Sequence, residues 1–153
     1  MTRTRKTLGA LAVALATVAG VAGGAALASA TPITAPAHTN APGTGELRAK
    51  MAVAFNAGAA RADRANELEP GEAGLPAFDR AAALIAIAPS SWRWDITGPV
   101  TADGDRLNAT LYTATDGYDP WTFDMSWKRI DGTWKLSRES VCTLAGFVGA
   151  PCP

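Results

Sequence analysis

The sequence predicts an α+β domain in which N-terminal helices pack on a curved, cone-like, four-stranded antiparallel meander of cystatin-like type. Three observations predict it. Between Trp92 and Val141 four runs alternate apolar and polar residues, the period-two signature of strands that bury one face. Asp103-Gly104, Asp116-Gly117 and Asp131-Gly132 separate these runs, and such dipeptides accept the positive φ of tight hairpin turns. From Glu46 to Ala88 the apolar spacing follows a helical period instead, and helices ahead of a meander are the pattern of an α+β fold.

Met1 to Ala30 reads as an export signal. Arg3, Arg5 and Lys6 form a basic start, Leu8 to Leu27 is uncharged and apolar, and Ala28-Ser29-Ala30 fits a small-x-small cleavage site. A retained membrane anchor is the alternative, because about 20 apolar residues span a bilayer. Cleavage leaves 123 of the 153 residues, with 11 basic against 14 acidic side chains. That length suffices for one core. A mildly acidic chain without a basic stripe excludes charge-driven binding of nucleic acid. The expected location is secreted or cell-envelope, with no membrane span after cleavage.

Residues 31–45 are rich in Pro, Ala and Thr and read as a spacer, leaving 46–153 as the domain. His38, the only histidine, falls in the spacer, so zinc sites and histidine-based nucleophile systems lose their usual parts. Leu47, Met51, Ala54, Phe55 and Gly58 mark one face of a first helix that Thr44 can cap. A shorter, charged helix is expected within Ala59–Leu68. Pro76 then opens a third, with Phe78, Ala82 and Ile85 on one face, and Pro89 closes it.

In the sheet, a two-residue loop at Asp103-Gly104 sets Val100 opposite Leu107, Ile96 opposite Leu111 and Trp94 opposite Thr113. A three-residue loop Asp116–Tyr118 sets Leu111 against Phe123, Ala109 against Met125 and Leu107 against Trp127. A two-residue loop at Asp131-Gly132 sets Trp127 against Leu136. A slip of one residue would turn every side chain over, so the parity is well determined. The apolar face then holds all five tryptophans, Trp92, Trp94, Trp121, Trp127 and Trp134. Asp95, Asn108, Asp124, Ser126, Lys128 and Lys135 face outward. Lys128 opposite Lys135 costs a few tenths of a kcal/mol, and exposing Trp127 and Leu136 instead would cost roughly 1.5–3 kcal/mol each.

Ser140 is the expected cap of a last helix over Val141–Val148, bracketed by Cys142 and Cys152. Two cysteines in an exported chain most simply form one disulfide. Bulky aromatics on a buried sheet face ordinarily belong to the core. The alternative is a ligand pocket of Trp94, Phe123, Met125 and Trp127, with Arg138 and Ser140 to receive an anionic group. The inward polar positions, Thr113, Arg129, Arg138 and Ser140, contain no Asp, Glu, His or Tyr. No catalytic residue, cofactor site or metal site is therefore expected.

The segment Asp131-Gly132-Thr133-Trp134-Lys135-Leu136-Ser137-Arg138-Glu139-Ser140 resembles the G-x-W-x-L-S-R-x-S ending of the mycobacterial low-molecular-weight secreted antigen family. The Leu68–Glu72 segment before the third helix and the strand start at Trp92–Thr97 are similar too. The resemblance implies the family's C-terminal domain, of nuclear transport factor two or cystatin-like type, exported and without assigned enzymatic activity. The Cys142–Cys152 pair departs from the antigen, so immunological properties are not carried over. The expected role is a non-enzymatic domain acting by binding or interaction. Its alternatives are a carrier of an apolar or anionic small molecule, possible envelope components among them, and an isomerase- or hydrolase-like enzyme on the same fold.

Overall fold

A computed structural model describes residues 41–153. The predicted export signal, residues 31–40 of the spacer and His38 lie outside the described residues. The elements run α1 (Thr44–Phe55), α2 (Arg61–Asn66), a 3-10 turn (Gly71–Gly74), α3 (Leu75–Ala86), β1 (Arg93–Asp103), β2 (Arg106–Ala114), β3 (Trp121–Ile130), β4 (Thr133–Leu136) and α4 (Arg138–Val148). The four strands form one antiparallel sheet in the order β1-β2-β3-β4, and the sheet is not closed.

Helix α1 buries Leu47, Met51 and Ala54 at the predicted spacing. Its cap is Gly43 rather than Thr44, and the Gly43 N–H donates to Glu46 Oε2 at 3.1 Å. Gly58 lies beyond the helix end and is exposed. The short α2 exists largely to place Arg64, which is only 4% exposed. Its Nε donates to the Ala54 carbonyl at 3.0 Å, satisfying an orphan acceptor at the end of α1. Arg64 Nη2 lies 2.7 Å from Asp79 Oδ1 but off the N–H direction, so charge rather than an aligned hydrogen bond holds it. Pro76 sits in the first turn of α3, which buries Leu75, Ala77, Phe78 and Ala81. Each fully buried Leu, Met or Phe contributes roughly 1.5–3 kcal/mol of transfer free energy.

The strand pairing matches the predicted parity with one correction. Ile96 faces Leu111 and Trp94 faces Thr113, but the first loop is Gly104-Asp105, and Ala102 rather than Val100 faces Leu107. A bulge spanning Gly98, Pro99 and Val100 shifts the register by two between Thr97 and Thr101, which preserves the face of every inward residue. Pro99 has no N–H to give the ladder, which suits an irregular segment. The β2–β3 register is the predicted one, although pairing stops at Thr113–Trp121 and the connection is longer than three residues. At the last hairpin Asp131 (φ 50) and Gly132 (φ 77) both take the left-handed conformation that a type I′ turn requires.

Lys128 does face Lys135. Lys128 Nζ reaches Glu69 and Glu139, both at 3.1 Å, and Lys135 Nζ donates to Asn66 Oδ1 at 2.9 Å, so each cation has its own partner. The segment Glu67–Glu69 closes the β4 edge: Leu136 N–H donates to the Glu67 carbonyl and Glu69 N–H to the Leu136 carbonyl, each at 2.8 Å. Two expectations fail beyond Leu136. The strand ends there, and Ser137, not Ser140, caps α4 by accepting from the Ser140 N–H at 3.2 Å. Ser126, expected on the open face, is buried because the start of α4 folds over it.

Candidate functional site

One end of the sheet gathers the start of β1, the end of β2 and the start of β3. The C-terminal halves of α3 and α4 stand against that end and enclose an open apolar cavity of about 310 Å³. Its floor is Trp94, Leu111 and Phe123, all inward by strand alternation. Ala81, Leu84, Ile85 and Ala88 come from the α3 side, and Leu144, Phe147 and Val148 from α4. Trp92, Trp121 and the β2–β3 connection, with Tyr118 and Asp119, form the rim.

The aromatic side chains are arranged by edge-to-face contacts. Phe147 stands against Trp121 (centroids 4.8 Å apart, 85°) and Phe123 (4.9 Å, 68°). Across the floor, Phe55 meets Trp94 edge-to-face at 5.3 Å (68°) and Phe78 at 5.0 Å with the rings tilted at 47°. Such pairs add roughly 0.5–1.5 kcal/mol beyond the area they bury. They hold the rings while leaving Trp121 55%, Phe147 48%, Leu84 45% and Tyr118 79% exposed. These large apolar side chains stand in water around one opening.

Of the six residues expected to form a pocket, Trp94 and Phe123 line this cavity. Met125 and Trp127 do not, being fully buried in the core. Arg138 is at the wrong place altogether. It is the exposed first residue of α4, with its N–H on Glu69 Oε2 (2.6 Å) and its Nε on the Pro153 carbonyl (2.7 Å). The alternation that pointed it inward no longer applies once Ser137 starts a helix. Ser140 is buried elsewhere, and the inward polar set predicted from alternation also lacked the two rim residues Tyr118 and Asp119. Those two, with Leu84 and Phe147, are among the lining residues that sequence reasoning missed. The apolar run Leu84–Ala88, wider than a core-facing stripe needs, was the available signal.

The buried hydroxyls form a second cluster. Ser126 Oγ lies 2.6 Å from Ser137 Oγ and 3.4 Å from Ser140 Oγ, and Ser137 Oγ lies 3.1 Å from Ser140 Oγ. The Ser126 N–H donates to Ser140 Oγ at 2.7 Å. Arg106 Nη2 donates to Ser126 Oγ at 3.0 Å, and a guanidinium cannot take a proton from a serine. Hydrogen bonds from its ammonium to Glu139 and Glu69 raise the pKa of nearby Lys128 and keep it charged. The cluster fastens α4 to β3 and has no activated nucleophile. Among the described residues no group of His, Cys, Asp and Glu is placed to hold a metal ion.

Cys142 on α4 is joined to Cys152 by a disulfide, with Cα atoms 4.5 Å apart. The domain framed by this linkage and by the Gly43 cap matches a described family: residues 40–152 correspond to the low molecular weight antigen MTB12, C-terminal domain. The chain belongs to that family. The match spans every helix and strand, so the MTB12 domain is the whole α+β unit from α1 to the disulfide. No curated protein matches the chain. Among the described residues no helix is long and apolar enough to cross a membrane.

Proposed function

We propose that this MTB12-family domain is a non-enzymatic binding module, exported to the cell exterior or envelope, that takes an apolar small molecule into the cavity between α3, α4 and the sheet. The open aromatic cavity is the observation that carries the reading. Its volume, about 310 Å³, is at the small end of ligand sites, and its lining is apolar with a few polar groups at the rim, as in such sites generally. The anionic ligand considered from sequence loses its support, because Arg138 and Ser140 stand away from the cavity. Catalysis gains none: Tyr118 and Asp119 sit exposed at the rim, whereas acid–base work needs a carboxylate in a shielded cleft.

Native mass spectrometry of the protein purified from its own host tests the proposal, with a copurifying apolar molecule expected. Leu84→Trp narrows the opening from a half-exposed position, so the variant should fold normally and carry at least tenfold less ligand. A wild-type protein that carries nothing and binds no apolar probe would overturn the reading.

A further inference from the structure

We propose that the cavity selects amphiphiles with a positively charged head, a claim that rests on the binding reading above and gives it a chemical class. Seven aromatic side chains line or floor the cavity, and Asp119 is the one charged residue among its lining. No Lys or Arg contributes. Aromatic faces carry negative potential and attract cations, most strongly where water is excluded. A carboxylate at the mouth adds attraction for the same sign of charge and repels an anionic head.

The neighbouring cations do not reverse this. Arg48 stacks over Trp94 at 5.0 Å, which shows that ring's face accepting a cation, but its charge is paired with Asp95 at 3.2 Å. Arg93 is paired with Asp116 at 2.8 Å. Arg80 is not among the lining residues; it donates to the Val148 carbonyl at 3.2 Å, where the negative end of the α4 dipole offsets part of its charge. The cavity therefore offers an apolar body several rings and a positive head the Asp119 carboxylate. An alkylammonium or quaternary ammonium amphiphile fits this chemistry, and a fatty acid or alkyl sulfate does not.

The test is an intrinsic tryptophan fluorescence titration, in which Trp92, Trp94 and Trp121 report on the cavity, with three probes of equal chain length below micelle formation: decyltrimethylammonium, decanol and decyl sulfate. The cationic probe should bind about tenfold tighter than the alcohol, and the sulfate weaker than either. Asp119→Asn should cut the preference for the cationic probe over decanol several-fold. Equal or tighter binding of the sulfate, or an unchanged preference in Asp119→Asn, overturns the inference while the binding reading stands. If decanol and both ions fail to bind, both fall.

Discussion

A single carboxylate shows how tightly local chemistry sets this fold. Glu139 is in the first turn of α4, where its own backbone N–H is the largest influence on its carboxyl and the Lys128 ammonium the next. Together they hold its pKa down at about 2, against an ordinary 4.5. A folded-state pKa below the unfolded one favours the charged form. The stabilisation is complete above about pH 4.5, declines as the pH falls toward 2 and vanishes below both values. Glu139→Gln should therefore lower Tm by about 1–4 °C at neutral pH, a small effect because the side chain is largely in water. Its Tm should converge with that of the parent protein near pH 2, and a difference that stays constant down to pH 2 would refute the assignment. Lys128 pairs with the same carboxylate, so its substitution would not add independently.

At the scale of elements, α4 connects the most distant parts of the architecture. Its N-terminus is locked to β3 through the three serines, its inner face completes the core, and its last turns form one wall of the cavity. The disulfide from Cys142 ties the C-terminal tail to it across ten residues of sequence. Closing a loop of that size stabilises by roughly 2.5–3 kcal/mol in the chain-entropy account. Replacing both cysteines with Ser should remove about that much in urea denaturation and leave the sheet signature in circular dichroism intact. Two titratable thiols in the native protein would contradict the linkage. The start of α4 is also where sequence reasoning failed. Strand alternation and a helix cap compete at Ser137, and period-two logic carried past it placed Arg138 on the wrong side. In the strands themselves the pattern was legible, because burial of one face tolerates no slip of one residue. Even the Gly98–Val100 bulge, invisible in the pattern, preserved parity by inserting two extra residues.

For the whole molecule, fold class and family were readable and the cavity only partly so. The tryptophans announced an apolar face, but which rings become core and which become rim depends on where helices land. Trp127 is fully buried in the core near Met51 and Ala54 of α1, while Trp121, edge-to-face with Phe147, remains half in water. Spacing within one strand carries no information about that distance. The export proposal has its own consequence at this scale: the mature protein should begin at Thr31 and be found outside the cytoplasm. N-terminal sequencing of culture-fluid protein checks this, and full-length chain recovered from membranes would count against it.

The two borders of the sheet are treated differently. Beside β4 the backbone groups of Leu136 are already engaged by Glu67 and Glu69, and along β1 the run of regular backbone is broken at Gly98, Pro99 and Val100. A second copy approaching either border meets occupied acceptors on one side and a kinked, proline-interrupted ribbon on the other. Strand-by-strand polymerisation into fibrils needs a long, straight, unsatisfied border on which to template. Both borders therefore offer a second copy only short stretches of backbone to template on, although apolar side chains stand in water around the cavity.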